Sequence, residues 1–167
     1  MISFDECIKD LISKDEVQKL DNFSQHFFAS RLDYSLDVAK ITYKTCARLK
    51  LNDVRIKEAT VAALLHDLFL YDWRDVGHSS KEHTFSHPKN ACLKAKEITN
   101  LSKKQENIIL SHMFPLCTEI PKSLEAWIVQ YADKVSALHE YIKQYGTYSL
   151  QLKPVIYLFN VALILHI

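Results

Sequence analysis

The dipeptide His66-Asp67 sits inside the apolar run Ala62-Ala63-Leu64-Leu65-His66-Asp67-Leu68-Phe69-Leu70. An imidazole and a carboxylate side by side in a core-bound stretch are costly to bury without partners. A metal ion removes that cost. Further along, His87, His112 and Asp133 each fall on a predicted helix or helix end. Imidazole nitrogens and carboxylate oxygens are donors that suit zinc, iron, manganese and similar ions. Neighbouring residues on a helix project about 100° apart, so His66 and Asp67 can both reach an ion lying between their directions. Asp133 lies in Ala126-Trp127-Ile128-Val129-Gln130-Tyr131-Ala132-Asp133-Lys134-Val135, where a carboxylate facing apolar neighbours needs a charge partner. Taken singly, each of these residues has a plainer reading: a hydrogen-bonded core histidine, a helix cap, or half of an ion pair.

The elements that would position these groups are helical. Only 2 Gly and 4 Pro occur in 167 residues, so turns are few and long helices are favoured over many short strands. Residues 3–20 carry Phe4, Ile8, Leu11 and Ile12 at helical spacing. Residues 34–50 repeat Val38, Ile41, Thr42, Thr45, Cys46 and Leu49 every three or four positions, with Tyr34 on the same face. The next helix covers 54–70, capped by Asn52 or Asp53 and closed by His66 and Asp67. Residues 71–86 lack periodicity and read as a loop; His87-Pro88 reads as the opening of the next helix, with proline at its first position. Ser102 and Gln105 form a capping-box signature for a helix that carries Ile108, Ile109 and His112 and stops before Pro115. Ser123 caps another through about Tyr141, and a last helix starts near Pro154. The expectation is an all-α single domain over 1–167, a bundle of about six to eight helices.

Composition narrows the classes. With 48% hydrophobic and 25% charged residues the chain reads as a soluble globular protein. A formal net charge of +1 points neither to nucleic acid nor to an anionic membrane. The four cysteines, at 7, 46, 92 and 117, make no C-x-x-C pair, which argues against a cysteine zinc site and for reduced thiols in a cytoplasmic protein. The start of the chain has no basic-then-apolar leader pattern. The apolar run from Val155 to Ile167 is too short to span a bilayer and reads as a packed helix, a homodimer contact or the edge of a larger domain that continues past it.

The series His66-Asp67, His87-Pro88, His112 and Asp133-Lys134 resembles the HD-domain metal-dependent phosphohydrolase superfamily over roughly residues 30–140. The string His66-Asp67-Leu68-Phe69-Leu70-Tyr71-Asp72-Trp73-Arg74 is similar to a bacterial branch of it. The resemblance implies a helical bundle around one or two ions (Fe, Mn, Zn, Ni or Mg) held by His66, Asp67, His87, His112 and Asp133. It implies water attack on a small phosphorylated compound, nucleotides being one class. Asp67 is then the bridging ligand, with Lys134 and Arg74, and more weakly Lys89, as cations for developing phosphate charge. Phe69, Tyr71, Trp73, Phe85 and Phe114 are dense enough to stack a base, although core filling suits large rings as well. His83 is expected to support the ligands from a loop, and His26, His78, His139 and His166 to stand apart.

One position departs from the pattern. The family places a first ligand histidine in a His-Ser-x-x-Val-Ala-like string, and this chain reads Tyr34-Ser35-Leu36-Asp37-Val38-Ala39. A phenol keeps its proton near neutrality and ligates poorly. Tyr34 therefore deprives one metal position of a ligand. This sets a catalytically impaired metal- or nucleotide-binding protein beside the active phosphohydrolase, and a helical interaction module with structural histidines behind both.

Overall fold

The computed structural model describes residues 1–26, 29–72 and 79–145. Among the described residues there are seven α-helices: α1 (Phe4–Ile12), α2 (Asp15–Gln18), α3 (Arg31–Arg48), α4 (Asp53–Leu65), α5 (Ser80–Ile98), α6 (Lys103–Ser111) and α7 (Leu124–Tyr145). A 3₁₀ turn comes after α2, and the short strands β1 (Ser24–His26) and β2 (Ala29–Ser30) pair antiparallel just before α3. The chain is all-α, as its shortage of turn formers predicts.

Side-chain caps set the helix starts. Ser3 and Glu6 form a capping box on α1, Ser30 accepts from the Asp33 amide, and Asn52 accepts from the Arg55 amide at 3.0 Å. Asp53 instead accepts the Ile2 amide, tying the first residues to α4. Ser102 and Gln105 close the expected box on α6. Ser123 accepts from the Ala126 amide at the head of α7. Each cap satisfies main-chain N–H groups that the first turn leaves without a helical partner.

The helical spacing of Phe4, Ile8, Leu11 and Ile12 falls on α1, and after Ser13 and Lys14 leave helical pairing a second short helix begins. The segment read as loop over 71–86 already turns helical at Ser80, because Ser79 and Glu82 make a full capping box: Ser79 Oγ accepts from the Glu82 amide and Glu82 Oε2 accepts from the Ser79 amide at 2.8 Å. His87-Pro88 therefore lies inside α5 rather than opening it. Trp73, Arg74 and His78, and the final helix expected from Pro154, lie outside the described residues.

The middle of the bundle is α4, which packs against α1, α3, α5, α6 and α7. Every residue from Ala59 to Leu65 is buried. Alanines at 59, 62 and 63 let neighbouring helices approach closely, while Leu64 and Leu65 fill the space between them. The four cysteines are free and buried. Among the described residues no helix is long and apolar enough to cross a membrane.

Candidate metal centre

The central helix α4 ends in the middle of the molecule and leaves His66 and Asp67 there. His66 is the C-cap residue of α4, and its Nδ1–H donates to the Ala63 carbonyl at 2.7 Å. His112 repeats the device at the end of α6, donating from Nδ1 to the Ile109 carbonyl at 2.7 Å. His87, inside α5, donates from Nδ1 to the His83 carbonyl at 2.9 Å. A carbonyl only accepts, so Nδ1 carries a proton in all three rings, and each ring presents an Nε2 lone pair when it is neutral. Main-chain oxygens that fix the tautomer and the ring plane are the usual support for a metal-ligating histidine.

The three Nε2 atoms meet at Asp67. Its Oδ1 lies 3.4 Å from His87 Nε2 and 3.5 Å from His112 Nε2. Its Oδ2 lies 3.6 Å from His66 Nε2. Asp133, from the middle of α7, places Oδ1 3.5 Å from the same His66 nitrogen. His87 and His112 face each other through Nε2 at 2.9 Å. All five residues are buried.

These contacts fit a cation. Two neutral imidazoles that both commit Nδ1–H to carbonyls would oppose lone pair to lone pair at 2.9 Å, a repulsive contact unless a positive charge lies between them. Buried His66 Nε2 makes no hydrogen bond, because its two nearest carboxylate oxygens are too distant for a good one. Donors about 2.0–2.2 Å from a shared ion stand about 2.8–3.6 Å apart along octahedral or tetrahedral edges, the range seen here. The ligand atoms of His66, Asp67 and His112 all lie within 4.8 Å of one another.

Crowding sets the electrostatics. Burial opposes charge on His66, yet the Asp67 and Asp133 carboxylates overcome it and raise its pKa to about 9. Burial, reinforced by the charge on His66, pushes His112 down to about 3. Adjacent rings are thus shifted in opposite directions, since a charge on one suppresses a charge on the other. Burial alone would raise Asp67 and Asp133. The imidazoles around Asp67, and His66, His112 and Lys134 around Asp133, hold both below the usual carboxylate range.

A family model described as HD domain matches residues 31–138, well over half of the chain. The chain belongs to the HD-domain family. No curated protein and no solved structure gives a significant match.

The HD residues themselves, His66 and Asp67, straddle a helix end: His66 caps α4 and Asp67 already lies in the turn beyond it, not in a helix reaching residue 70. This HD domain keeps its cluster walled by named groups. Tyr34, buried in α3, donates its hydroxyl toward Asp133 Oδ1 at 2.7 Å, with the Asp133 carbonyl 2.9 Å from the same oxygen. Burial first, and the neighbouring Asp133 second, raise that phenol far above its ordinary value. Lys134 stands at the rim, its Nζ 2.9 Å from the His112 carbonyl and 3.5 Å from Asp133 Oδ2. His83, expected on a loop, sits one turn before His87 on α5 and stacks on it with ring centroids 4.7 Å apart.

Of the aromatic residues singled out by sequence, Phe69 is buried beside His83 and His87. Tyr71 is half-buried against Phe69, Phe85 is exposed, and Phe114 packs edge-on against Trp127. Lys89 is exposed. Arg31 is a residue that motif spacing does not mark. Its buried guanidinium lies 3.7 Å from the Phe69 ring centroid and donates to the Phe69 and Tyr71 carbonyls, pinning the segment just beyond Asp67. Only its place at the start of α3, facing the core, hints at this.

Proposed function

We propose that this HD domain is a metal-dependent phosphohydrolase acting on a small phosphorylated compound, with nucleotides as one substrate class. The observation that carries the reading is the convergence of His87 and His112, 2.9 Å apart, on one oxygen of Asp67, while His66 stands between the other oxygen and Asp133. His66, Asp67, His87, His112 and Asp133 would hold one or two divalent or transition ions. When bound, such ions lower the pKa of a coordinated water toward about 7 and polarise phosphate oxygens, the chemistry of phosphoester hydrolysis.

The chain's own residues prepare that chemistry. The carbonyls of Ala63, His83 and Ile109 hold the imidazoles in one tautomer and orientation. Asp67 presents one oxygen to each side, which suits a bridging carboxylate. Lys134, fixed by the His112 carbonyl, supplies a cation at the rim for the non-bridging phosphate oxygens. Arg74, outside the described residues, is proposed for the same role. Buried Leu68 and Phe69 exclude bulk water from the adjacent wall, which strengthens these charge interactions.

A second reading, a metal- or nucleotide-binding protein without turnover, is favoured by one observation: Tyr34 holds Asp133 where a ligand histidine would be expected. Turnover of para-nitrophenyl phosphate and a panel of nucleoside monophosphates with added Mn2+ tests the choice. The phosphohydrolase reading expects metal-dependent turnover that falls at least about a hundredfold in Asp67→Asn, the size of losing a ligand or its support. Ion binding without turnover on any of these esters would favour the second reading.

A further inference from the structure

The five donors form two groups of unequal make-up. On one side, Asp67 Oδ1, His87 Nε2 and His112 Nε2 stand 3.4, 3.5 and 2.9 Å from one another. On the other, His66 Nε2 lies 3.6 Å from Asp67 Oδ2 and 3.5 Å from Asp133 Oδ1. The oxygen that Asp133 turns toward His66 is the one that accepts the Tyr34 hydroxyl at 2.7 Å. The same hydroxyl lies 2.9 Å from the Asp133 main-chain carbonyl, so α3 is bolted to α7 at this residue.

Resting on the metal-site reading above, we propose that Tyr34 makes the centre asymmetric: one ion binds tightly between Asp67, His87 and His112, and the His66–Asp133 side binds a second ion only weakly. A phenol near neutrality keeps its proton and offers no anionic ligand. Its O–H occupies one of the two lone pairs on the Asp133 oxygen that faces His66, and draws charge from that oxygen. An ion there must share this oxygen with a buried hydrogen bond to a carboxylate or displace it, and such a bond is about twice as strong as a neutral one. On the opposite side the two lone-pair nitrogens already confront each other and gain from any cation placed between them. Tyr34 thereby acts as a positioning residue for Asp133 and as the determinant of how many ions the centre holds.

Equilibrium dialysis against Mn2+ with elemental analysis, paired with Mn2+ electron paramagnetic resonance, tests the inference without recourse to activity. Wild-type protein is expected to bind one Mn2+ per chain at least about tenfold more tightly than any second, with the spectrum of an isolated ion. Tyr34→His, which exchanges the hydroxyl for a nitrogen donor, should take two ions of similar affinity with a spin-coupled spectrum. Tyr34→Phe and Asp133→Asn should keep the tight ion, and His87→Gln should lose it; circular dichroism and a cooperative melt establish that each variant is folded. Two equally tight ions in wild type would overturn the inference while leaving the metal reading intact. So would a tight ion that survives His87→Gln but is lost in Asp133→Asn or Tyr34→Phe. No ion bound by the wild type at all would overturn the metal reading itself.

Discussion

Three histidines in this protein give up Nδ1 to a main-chain carbonyl three or four residues earlier, and in doing so aim Nε2 at one carboxylate. The chemistry of each residue type is legible in the sequence: an imidazole and a carboxylate inside an apolar run require a partner, and Asp133 among apolar neighbours requires one too. The carbonyl partners are not, because they arise from helix ends that one residue more or less would move. Charge placement away from the centre is also set at single residues. Glu125, buried at the head of α7, accepts from Arg55 Nε at 2.6 Å and from Lys104 Nζ at 3.3 Å, and Arg55 above all holds its pKa down to about 2. A carboxylate depressed on folding contributes stability that is complete above its unfolded value near 4.5 and is lost as the pH falls toward 2. Glu125→Gln should therefore cost about 2 kcal/mol at pH 6, allowing for the partly exposed Arg55. The gap from wild type in urea unfolding should shrink to less than about half of that at pH 3. A gap that stays constant between the two pH values would remove this pair from the account of stability.

At the scale of elements, a helix end brings a candidate ligand to the centre twice and a helix interior does so twice. His66 and His112 close α4 and α6; the second end is readable from Pro115, whereas the apolar run carries the expected α4 on to residue 70 and hides the first. His87 and Asp133 project from the middles of α5 and α7. The start of α5 is where the sequence misleads most. Ser79-Ser80-Lys81-Glu82 carries the serine-to-glutamate spacing of a capping box, but the proline after His87 gives a competing start signal and is in fact an internal proline. A proline inside a helix removes one main-chain rung, so the turn bearing His83 and His87 relies on the capped N-terminal turn before it. Ser79→Ala should cost about 1 kcal/mol and speed amide exchange at Glu82 and His83, read by hydrogen exchange with mass spectrometry. Unchanged protection in that turn would mean the cap does not secure it. Arg31 is the second feature hidden from sequence: a buried guanidinium at the start of α3 clamps the chain beyond Asp67. No spacing rule announces a cation that bonds carbonyls some forty residues away.

Across the whole molecule, the arrangement is a helical shell built around one small-residue helix. The run from Ala59 to Leu65 is buried throughout, so α4 touches five other helices and ends with its two chemical residues at their convergence. The helical class is written in the composition, because so few glycines and prolines leave little room for turns. The meeting point is not, since residues 66, 87, 112 and 133 are separated by long stretches of chain and only packing decides that they touch. Asp67 is the hinge of that meeting: one of its oxygens faces His87 and His112, and the other faces His66. A change at this carboxylate therefore reaches both groups of side chains at once. The most direct measurement is Mn2+ bound per chain at equilibrium in wild-type and Asp67→Asn protein, both shown to be folded by circular dichroism. The structure predicts at least one ion per wild-type chain, and binding weakened at least about tenfold in the variant. Equal binding by the two proteins, or none by either, would contradict it.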